Sequence, residues 1–267
     1  MKKLFILLLP LMLLTGCTQY AKVQKSLDYS YKYELAKSYY MEGEYSQACS
    51  LLEDVLAIMK GTSHAEESLY MLAMCYYDMG DYVTASHYLT TCFKTYPRGV
   101  YTETARFMSA KALFLDTPDP RLDQTSTIKA ISEIQAFLEY YPYSKYGEEV
   151  HAMLYELHDR LVEKEYRAAQ LYYDLGNYMG NNYQSCIITA QNALNDYPYT
   201  KLREDLSVLI LRARYSMAKE SVQTKMIDRY RDTLDEYYAF KNEFPESKYM
   251  KEAEKIFRET EKVLKNK

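Results

Sequence analysis

The sequence predicts an all-α fold of about five helix-turn-helix repeats followed by a capping helix. A block of residues recurs with a constant offset of 37, and within each block apolar residues recur at helical spacing on both sides of a glycine. A phrase of an aromatic residue, a proline and a further one or two small or polar residues also returns four times. Composition agrees, because the 267 residues include only 8 glycines and 7 prolines.

Residues 1–16 are predicted to be a signal peptide that is cleaved and therefore forms no part of the fold. Lys2 and Lys3 give a positive start, and residues 4–14 form an apolar run that is too short to span a bilayer comfortably. The ending LTGC at 14–17 resembles the lipobox of bacterial lipoproteins, which implies cleavage before Cys17 and lipidation of that cysteine. An ordinary signal peptide with a coincidental cysteine is the alternative. A lipid would anchor the chain to a membrane without spanning it.

Removal of 16 residues from 267 leaves 251, and the loss of Lys2 and Lys3 moves the formal charge from -4 to -6. Residues 17–28 are interpreted as a lipidated tail. Interspersed charges on an acidic chain argue against a nucleic-acid partner, which would require a clustered basic face. The 31 tyrosines, with no tryptophan, suit seams between helices and surfaces that bind peptides.

The first two repeats are the clearest, because residues 33–56 align with residues 70–93. Each contains a helix, a short turn at Gly43 or Gly80, and a second helix. Small side chains lie on both sides of each predicted crossing, which lets two helix axes approach closely. These pairs are Ala36 with Ala48 and Ala73 with Ala85.

The later repeats are less regular. The third contains Ala110 and Ala130, with a polar insertion at 116–123 that lengthens its turn. Residues 29–145 are thus predicted to hold the three N-terminal repeats. The remaining segment, 146–267, is predicted to hold two repeats and a cap. In the fourth repeat the first helix lies within 150–178, the turn lies near 179–183 and Cys186 replaces the alanine. The fifth has helices at 205–221 and 227–245, before a capping helix at 248–267.

The recurrent phrase is predicted to end one repeat and begin the next. Its prolines lack an amide hydrogen and disfavour helix in the residue before them; they are Pro97, Pro142, Pro198 and Pro245. The Ser, Thr or Gly two residues later is expected to cap the following helix. Acidic residues then favour the N-terminal dipole, namely Glu148, Glu149, Glu204, Asp205 and Glu252. This order of alanine, aromatic, glycine turn and terminal proline resembles the tetratricopeptide-repeat family, which implies a superhelix of stacked repeats.

No residue pattern predicts catalysis, a metal or a cofactor. The chain lacks a glycine-rich phosphate loop, a G-x-S-x-G elbow and Cys/His zinc spacing. We therefore expect a protein that is not an enzyme. The remaining cysteines are interpreted as buried thiols in preference to disulfides; they are Cys49, Cys75, Cys92 and Cys186. The four histidines are interpreted as surface or seam residues; they are His64, His87, His151 and His158.

The tetratricopeptide resemblance implies that the first helix of each repeat lines a concave groove. Counting from Ala36, Ala73 and Ala110, three positions per repeat would face it. They are Tyr33, Lys37 and Tyr40, then Tyr70, Met74 and Tyr77, then Phe107, Lys111 and Phe114. Two aromatic rows with lysines at their edges would suit an extended peptide with aromatic residues and a free carboxylate. The alternative is that these rings pack against neighbouring repeats or against residues 18–30.

A lipobox, a short tail, five repeats and the aromatic-proline phrase together resemble the BamD (ComL-type) family of outer-membrane β-barrel assembly lipoproteins, over essentially all of the mature chain. This resemblance implies a protein on the periplasmic face of the outer membrane. Its C-terminal repeats would hold a BamA-type barrel protein, and its N-terminal repeats would receive unfolded β-barrel precursors, which end in an alternating aromatic signal. No cofactor is implied.

Two alternatives share the lipid anchor. One is a tetratricopeptide scaffold lipoprotein for other envelope or peptidoglycan enzymes. The other is a carbohydrate-capturing lipoprotein of the SusD type, which the absence of tryptophan and the short chain disfavour. The basic contact that the BamD family uses in its C-terminal half has no unambiguous counterpart. Arg203, Arg212 and Arg214 are candidates by charge and location alone.

Overall fold

The computed structural model describes Tyr20 and residues 22–266, and its fold is all-α, with no strand in the described part. Helices α1 to α10 form five successive pairs and α11 follows as the cap, so the predicted tetratricopeptide-repeat fold is confirmed. The helices are α1 (Tyr29–Met41), α2 (Tyr45–Met59), α3 (Ala65–Asp78), α4 (Tyr82–Thr95), α5 (Thr102–Leu115), α6 (Thr125–Tyr140), α7 (Gly147–Leu175), α8 (Asn182–Asp196), α9 (Arg203–Lys219), α10 (Gln223–Glu243) and α11 (Met250–Lys265).

The chain divides into two compact units. The first contains the described residues up to Thr117 together with Thr125–Met153, and the second contains Pro118–Gln124 together with the described residues from Leu154 onward. The division falls inside α7, eight residues beyond the boundary after residue 145 that the repeat pattern predicts. In the first unit α1 to α6 pack in chain order, and in the second unit α8 to α11 do the same.

Alanines at the predicted crossings let the helices of each pair approach closely. The six alanines of the first three repeats are at most 1% exposed; they are Ala36, Ala48, Ala73, Ala85, Ala110 and Ala130. In the first two repeats the turn between the paired helices contains a left-handed glycine, Gly43 or Gly80, with φ of 80° and 82°. In the fourth repeat Cys186 takes the place of the alanine and is fully buried.

A carboxylate of the preceding repeat holds each serine or threonine of the junction phrase. The Ser144 hydroxyl donates to Glu103 Oε1 at 2.6 Å and accepts from the Tyr146 amide at 3.1 Å. The hydroxyl therefore closes a turn just before α7 and ties it to α5. The same two bonds recur for Thr200 with Asp159 and Leu202, and for Ser247 with Glu204 and Tyr249.

These contacts correct the predicted capping role. The residues that cap α9 and α11, Leu202 and Tyr249, make no side-chain capping bond, and the serine or threonine bonds lie one turn earlier. The acidic residues of the first helical turn also do more than complement the helix dipole, since Glu103 and Glu204 bind the following junction. We call these residues the clamping carboxylates; they are Glu66, Glu103, Asp159 and Glu204.

One junction has glycine instead of a hydroxyl residue. Glu66 there accepts the Val100 and Tyr101 amides directly, at 3.2 and 2.8 Å. A Cβ on Gly99 would lie 2.1 Å from Glu66 Oε1, so any side chain at this position requires the carboxylate to move. Glycine thus permits Glu66 to bind two backbone amides without a hydroxyl bridge. At the Thr200 junction Asp159 combines the hydroxyl bridge with a direct bond from the Lys201 amide at 3.2 Å.

Candidate functional site

A cavity of about 180 Å³ lies between the first and second repeats of the first unit. Its walls are mainly tyrosine rings and methionine side chains, with one charged pair; the lining residues are Lys37, Tyr40, Met41, Glu67, Tyr70, Met71 and Tyr101. Pockets for small-molecule ligands usually enclose roughly 300 to 1,000 Å³. This cavity is smaller, and its size and lining suit one apolar or aromatic side chain of a peptide.

Stacked rings form one wall of the cavity. Tyr70 of α3 and Tyr101 at the start of α5 stack with centroids 4.7 Å apart and planes inclined by 18°. The Tyr101 position is held by Glu66, which accepts its amide. Tyr40, at the end of α1, contacts Tyr45 with centroids 5.8 Å apart. Burial raises the pKa of Tyr40 to about 12 and raises those of Tyr70 and Tyr101, so these hydroxyls remain neutral at physiological pH.

A network of three polar side chains closes one side of the cavity. Glu67 of α3 accepts from the Tyr33 hydroxyl at 2.5 Å and from Lys37 Nζ at 2.9 Å. These two hydrogen bonds lower the pKa of Glu67, and the bond to Glu67 raises that of Lys37. Burial and the Glu67 bond raise the pKa of Tyr33 to about 12. The network joins the first repeat to the second and keeps Lys37 at the edge of the cavity.

Two of the nine predicted groove residues are buried and cannot form a surface. Tyr33 is 2% exposed, beneath the Lys37 ammonium, and Phe107 is 4% exposed. The Phe107 ring stacks on Tyr146 with centroids 4.0 Å apart and also contacts Phe137. Of the predicted row formed by Tyr33, Tyr70 and Phe107, only Tyr70 lines this cavity. For these two positions the alternative, packing against neighbouring repeats, describes the structure.

The remaining predicted residues lie outside the lining of this cavity. Lys111 Nζ pairs with Glu149 Oε1 at 2.7 Å, repeating between the third repeat and α7 the contact of Lys37 with Glu67. Tyr77 contacts Tyr82 at a centroid distance of 5.5 Å, and burial raises its pKa. Met74 and Phe114 are half-buried.

Four lining residues of the cavity were not predicted from the sequence: Met41, Glu67, Met71 and Tyr101. Met41 is the last residue of α1 and is 83% exposed, and Tyr101 precedes the first turn of α5. Both lie at helix ends, outside the stretch of helix to which the counting from the alanines was applied. The junction phrase could have indicated Tyr101, because this tyrosine lies two residues after Gly99, where the phrase ends.

Other polar candidates have structural partners. Arg212 makes a bidentate pair with Glu252 at 2.8 and 2.6 Å, Arg214 pairs with Glu236 at 2.7 Å, and Arg203 pairs with Glu243. The four cysteines within the described residues are free and buried. Among the residues that the structure describes, no group of histidine, cysteine and carboxylate side chains could hold a metal ion.

The predicted lipidation site, Cys17, lies outside the described residues, as does the predicted signal peptide. Within residues that are described, no helix combines the length and the apolar character needed to cross a membrane.

Comparisons with known proteins agree on a family. The profile of YfiO, described as an outer membrane lipoprotein, matches residues 26–226. A protein of Aquifex aeolicus (strain VF5), "Putative outer membrane protein assembly factor BamD", is 27% identical over 172 residues. That alignment covers 64% of this chain and 56% of the Aquifex protein, so the chain spans just over half of that relative's length.

Two crystal structures of a Podosopora anserina "putative kinesin light chain" with nearly identical TPR-like repeats align with a TM-score of 0.33. They are 14% identical, over 82% of this chain and 96% and 97% of theirs. The YfiO profile matches most of the chain. The chain belongs to the YfiO family of outer membrane lipoproteins, as its resemblance to BamD-type lipoproteins predicted.

Proposed function

We propose that the chain acts in outer membrane protein assembly, where it binds unfolded β-barrel precursors and a BamA-type barrel protein from the periplasmic face of the outer membrane. Membership of the YfiO family and similarity to the Aquifex protein support the assembly role. The precursors bind through the cavity between the first two repeats. The C-terminal repeats hold the barrel protein, and the lipid on Cys17 keeps both activities at the membrane.

The aromatic cavity is the observation that carries the precursor site. A precursor segment of alternating aromatic residues offers a ring every second residue, on one face of an extended chain. One such ring fits between Tyr40 and the stacked pair of Tyr70 and Tyr101. Offset or edge-to-face contacts with these rings add to the apolar surface that is buried. Met41, which is largely exposed, can fold over the bound ring because methionine is unbranched and flexible.

The charged pair beside the cavity suits the end of a chain. An ammonium group has three donors, so Lys37 can bind a terminal carboxylate while keeping a bond to Glu67. The Lys37 side chain is 39% exposed and that of Glu67 is 30% exposed, so a ligand can reach both. A neutral peptide end would lack the ionic bond and would bind more weakly.

The test is the affinity of the full mature chain for a synthetic decapeptide with alternating tyrosines and a C-terminal phenylalanine. Met41→Glu places a charge at the cavity wall, near Glu67, and is expected to weaken binding about tenfold, equivalent to ~1.4 kcal/mol. The side chain is exposed, so helical content by circular dichroism is expected to be unchanged.

The matched control is Met179→Glu, which adds the same charge at a methionine that is 91% exposed in the second unit. This variant is expected to bind the decapeptide as the unmodified chain does. Amidation of the peptide's C-terminus tests the Lys37 contact separately. Equal affinities for the Met41→Glu and Met179→Glu variants would remove the cavity from the proposal.

A further inference from the structure

A second cleft, entirely within the second unit, surrounds the junction between the fourth and fifth repeats. Its volume is about 580 Å³, and it is bounded by the middle of α7 and by the segment between α8 and α9. Its lining residues are Tyr155, His158, Asp159, Asp196, Tyr197, Pro198, Tyr199, Thr200 and Lys201. The proposed function places a barrel protein on the C-terminal repeats without assigning any residue of this cleft.

Three tyrosine rings line the cleft, and two of them are open to solvent. Tyr155 is 55% exposed and Tyr199 is 86% exposed, whereas Tyr197 is half-buried with its ring centroid 5.2 Å from that of His158. Exposed rings of this size contribute little to the stability of the unit. Their accessible faces, which carry partial negative charge, are available to a ligand.

The charge of the cleft is negative. Asp196 is exposed and forms no ion pair with any described residue, and Asp159 pairs with Lys201 Nζ at 3.3 Å while binding Thr200. Burial lowers the pKa of His158, so its imidazole is neutral at physiological pH and adds no positive charge. Lys201 is the one basic lining residue, and its side chain is 83% exposed, which lets it move away from the cleft.

The convergence of rings distinguishes this junction from equivalent junctions. Tyr155 lies four residues before the clamping carboxylate Asp159, and the same position holds Thr200 before Glu204 and Gly99 before Glu103. Tyr199 follows the proline of the phrase, a position that holds Tyr143 in the preceding junction and Glu246 in the next. The cleft at that next junction, about 500 Å³, is lined by a single aromatic ring, that of Phe244.

We propose that this cleft binds an arginine or lysine side chain on an extended segment of a partner protein. A cation over a tyrosine face gains about 0.5 to 2 kcal/mol, and a guanidinium can stack on one ring while donating to a carboxylate. Tyr155 and Tyr199 provide the faces, and Asp196 provides an acceptor that has no internal cation. The acidic lining excludes an anionic partner by repulsion.

The test uses a fluorescein-labelled hexapeptide of three Ser-Arg units, with a Ser-Gln hexapeptide as the neutral comparison, and measures fluorescence anisotropy with the full mature chain. We expect the Ser-Arg peptide to bind and the Ser-Gln peptide not to bind. Tyr155→Ala combined with Tyr199→Ala is expected to weaken binding about tenfold, and Asp196→Asn about threefold.

Matched controls separate the cleft from the overall acidity of the chain. Tyr143→Ala removes a tyrosine from the same place in an earlier phrase, 99% exposed and outside the cleft, and Asp232→Asn removes an exposed charge on α10. Both are expected to bind as the unmodified chain does. The proposal is overturned if the double tyrosine variant matches Tyr143→Ala, if Asp196→Asn matches Asp232→Asn, or if the neutral peptide binds equally well. The decapeptide assay at the first cavity is unaffected by any of these outcomes.

Discussion

Gly99 shows how one residue determines the chemistry of a junction. Its missing side chain lets Glu66 bind two backbone amides directly, whereas Ser144 mediates the equivalent contact with Glu103 through its hydroxyl. Hydrogen bonds to a charged group contribute about 1.5 to 3 kcal/mol each. A junction between two repeats can thus be stabilised with either glycine or serine, and the carboxylate takes a different position in each case.

Substitutions at Gly99 test this account. Gly99→Ala is expected to lower the free energy of unfolding by about 1 to 3 kcal/mol, because the added Cβ displaces Glu66 and leaves the Val100 and Tyr101 amides without their acceptor. Gly99→Ser is expected to cost less, since its hydroxyl can donate to the displaced carboxylate as Ser144 does. Urea denaturation measures both. Equal losses for alanine and serine would contradict the hydroxyl bridge.

Much of the fold could be predicted from local residue patterns, because the relevant contacts lie within one repeat. Ala36 and Ala48 are buried where the spacing placed them, and Gly43 adopts the left-handed conformation that the turn requires. The site was less predictable. Tyr33 and Tyr70 occupy the same position in successive repeats, yet Tyr33 is buried and Tyr70 lines a cavity.

The difference between these tyrosines comes from their neighbours in the next repeat. Tyr33 is covered by His64, with ring centroids 4.8 Å apart, and its hydroxyl donates to Glu67, whereas the Tyr70 ring stacks on that of Tyr101. Such contacts join residues about 30 apart in the chain, as the numbers show. Period and amphipathicity describe a single helix and carry no information on which side chains of the next repeat cover it.

Adjacent repeats are joined by ion pairs in which a helix of one repeat contacts the first turn of the next. Lys37 of α1 pairs with Glu67 of α3, and Lys111 of α5 pairs with Glu149 of α7. Both lysines were predicted to serve a ligand, and both have a structural partner. Each lysine can keep its carboxylate partner and also contact a ligand, because neither Glu67 nor Glu149 is fully buried.

The Glu67 network predicts a loss of stability in acid. Hydrogen bonds from Tyr33 and Lys37 lower the pKa of Glu67 below its usual 4.5 in the folded state. The stabilisation that ionised Glu67 provides is therefore complete at pH values above its pKa in the unfolded state. It is lost as the pH falls through the pKa of Glu67 in the folded state. Thermal unfolding followed between about pH 6 and pH 3 should show a melting temperature that decreases in this range.

Glu67→Gln is the matched variant, because it keeps the shape of the side chain and cannot titrate. It is expected to melt at a lower temperature than the unmodified chain near neutral pH, and to show a smaller decrease on acidification. Identical slopes for the two chains below about pH 5 would mean that other carboxylates account for the acid sensitivity.

The whole chain combines a predicted lipid anchor with two compact units that carry different clefts. The first unit holds an aromatic cavity with a basic edge, and the second holds an aromatic cleft with an acidic lining. Different chemistry in the two clefts suits different ligands. The proposed function, in which one polypeptide is received while another is held, is compatible with two ligand sites of different chemistry.

Affinity capture from gently solubilised envelopes tests the role of the whole molecule. The lipidated chain, tagged at its C-terminus, is expected to recover a large barrel protein in near-stoichiometric amount. Cys17→Ala is expected to abolish lipidation, seen as a mass difference, and to reduce this recovery, because the anchor brings the two proteins together at one membrane. Recovery of cell-wall enzymes or of a sugar transporter in place of the barrel protein would contradict the assembly role.

The clamping carboxylates also impose an order of events during synthesis. Glu103 binds Ser144, Asp159 binds Thr200 and Glu204 binds Ser247. About 40 further residues must therefore be synthesised after each carboxylate before its partner leaves the ribosome. Each of these three nascent repeats thus lacks its clamp until the next phrase has emerged. A chain that stops just after a phrase keeps all its preceding clamps, whereas one that stops just before it loses the last clamp and leaves that carboxylate to water. The phrases therefore mark the natural places at which to shorten this protein.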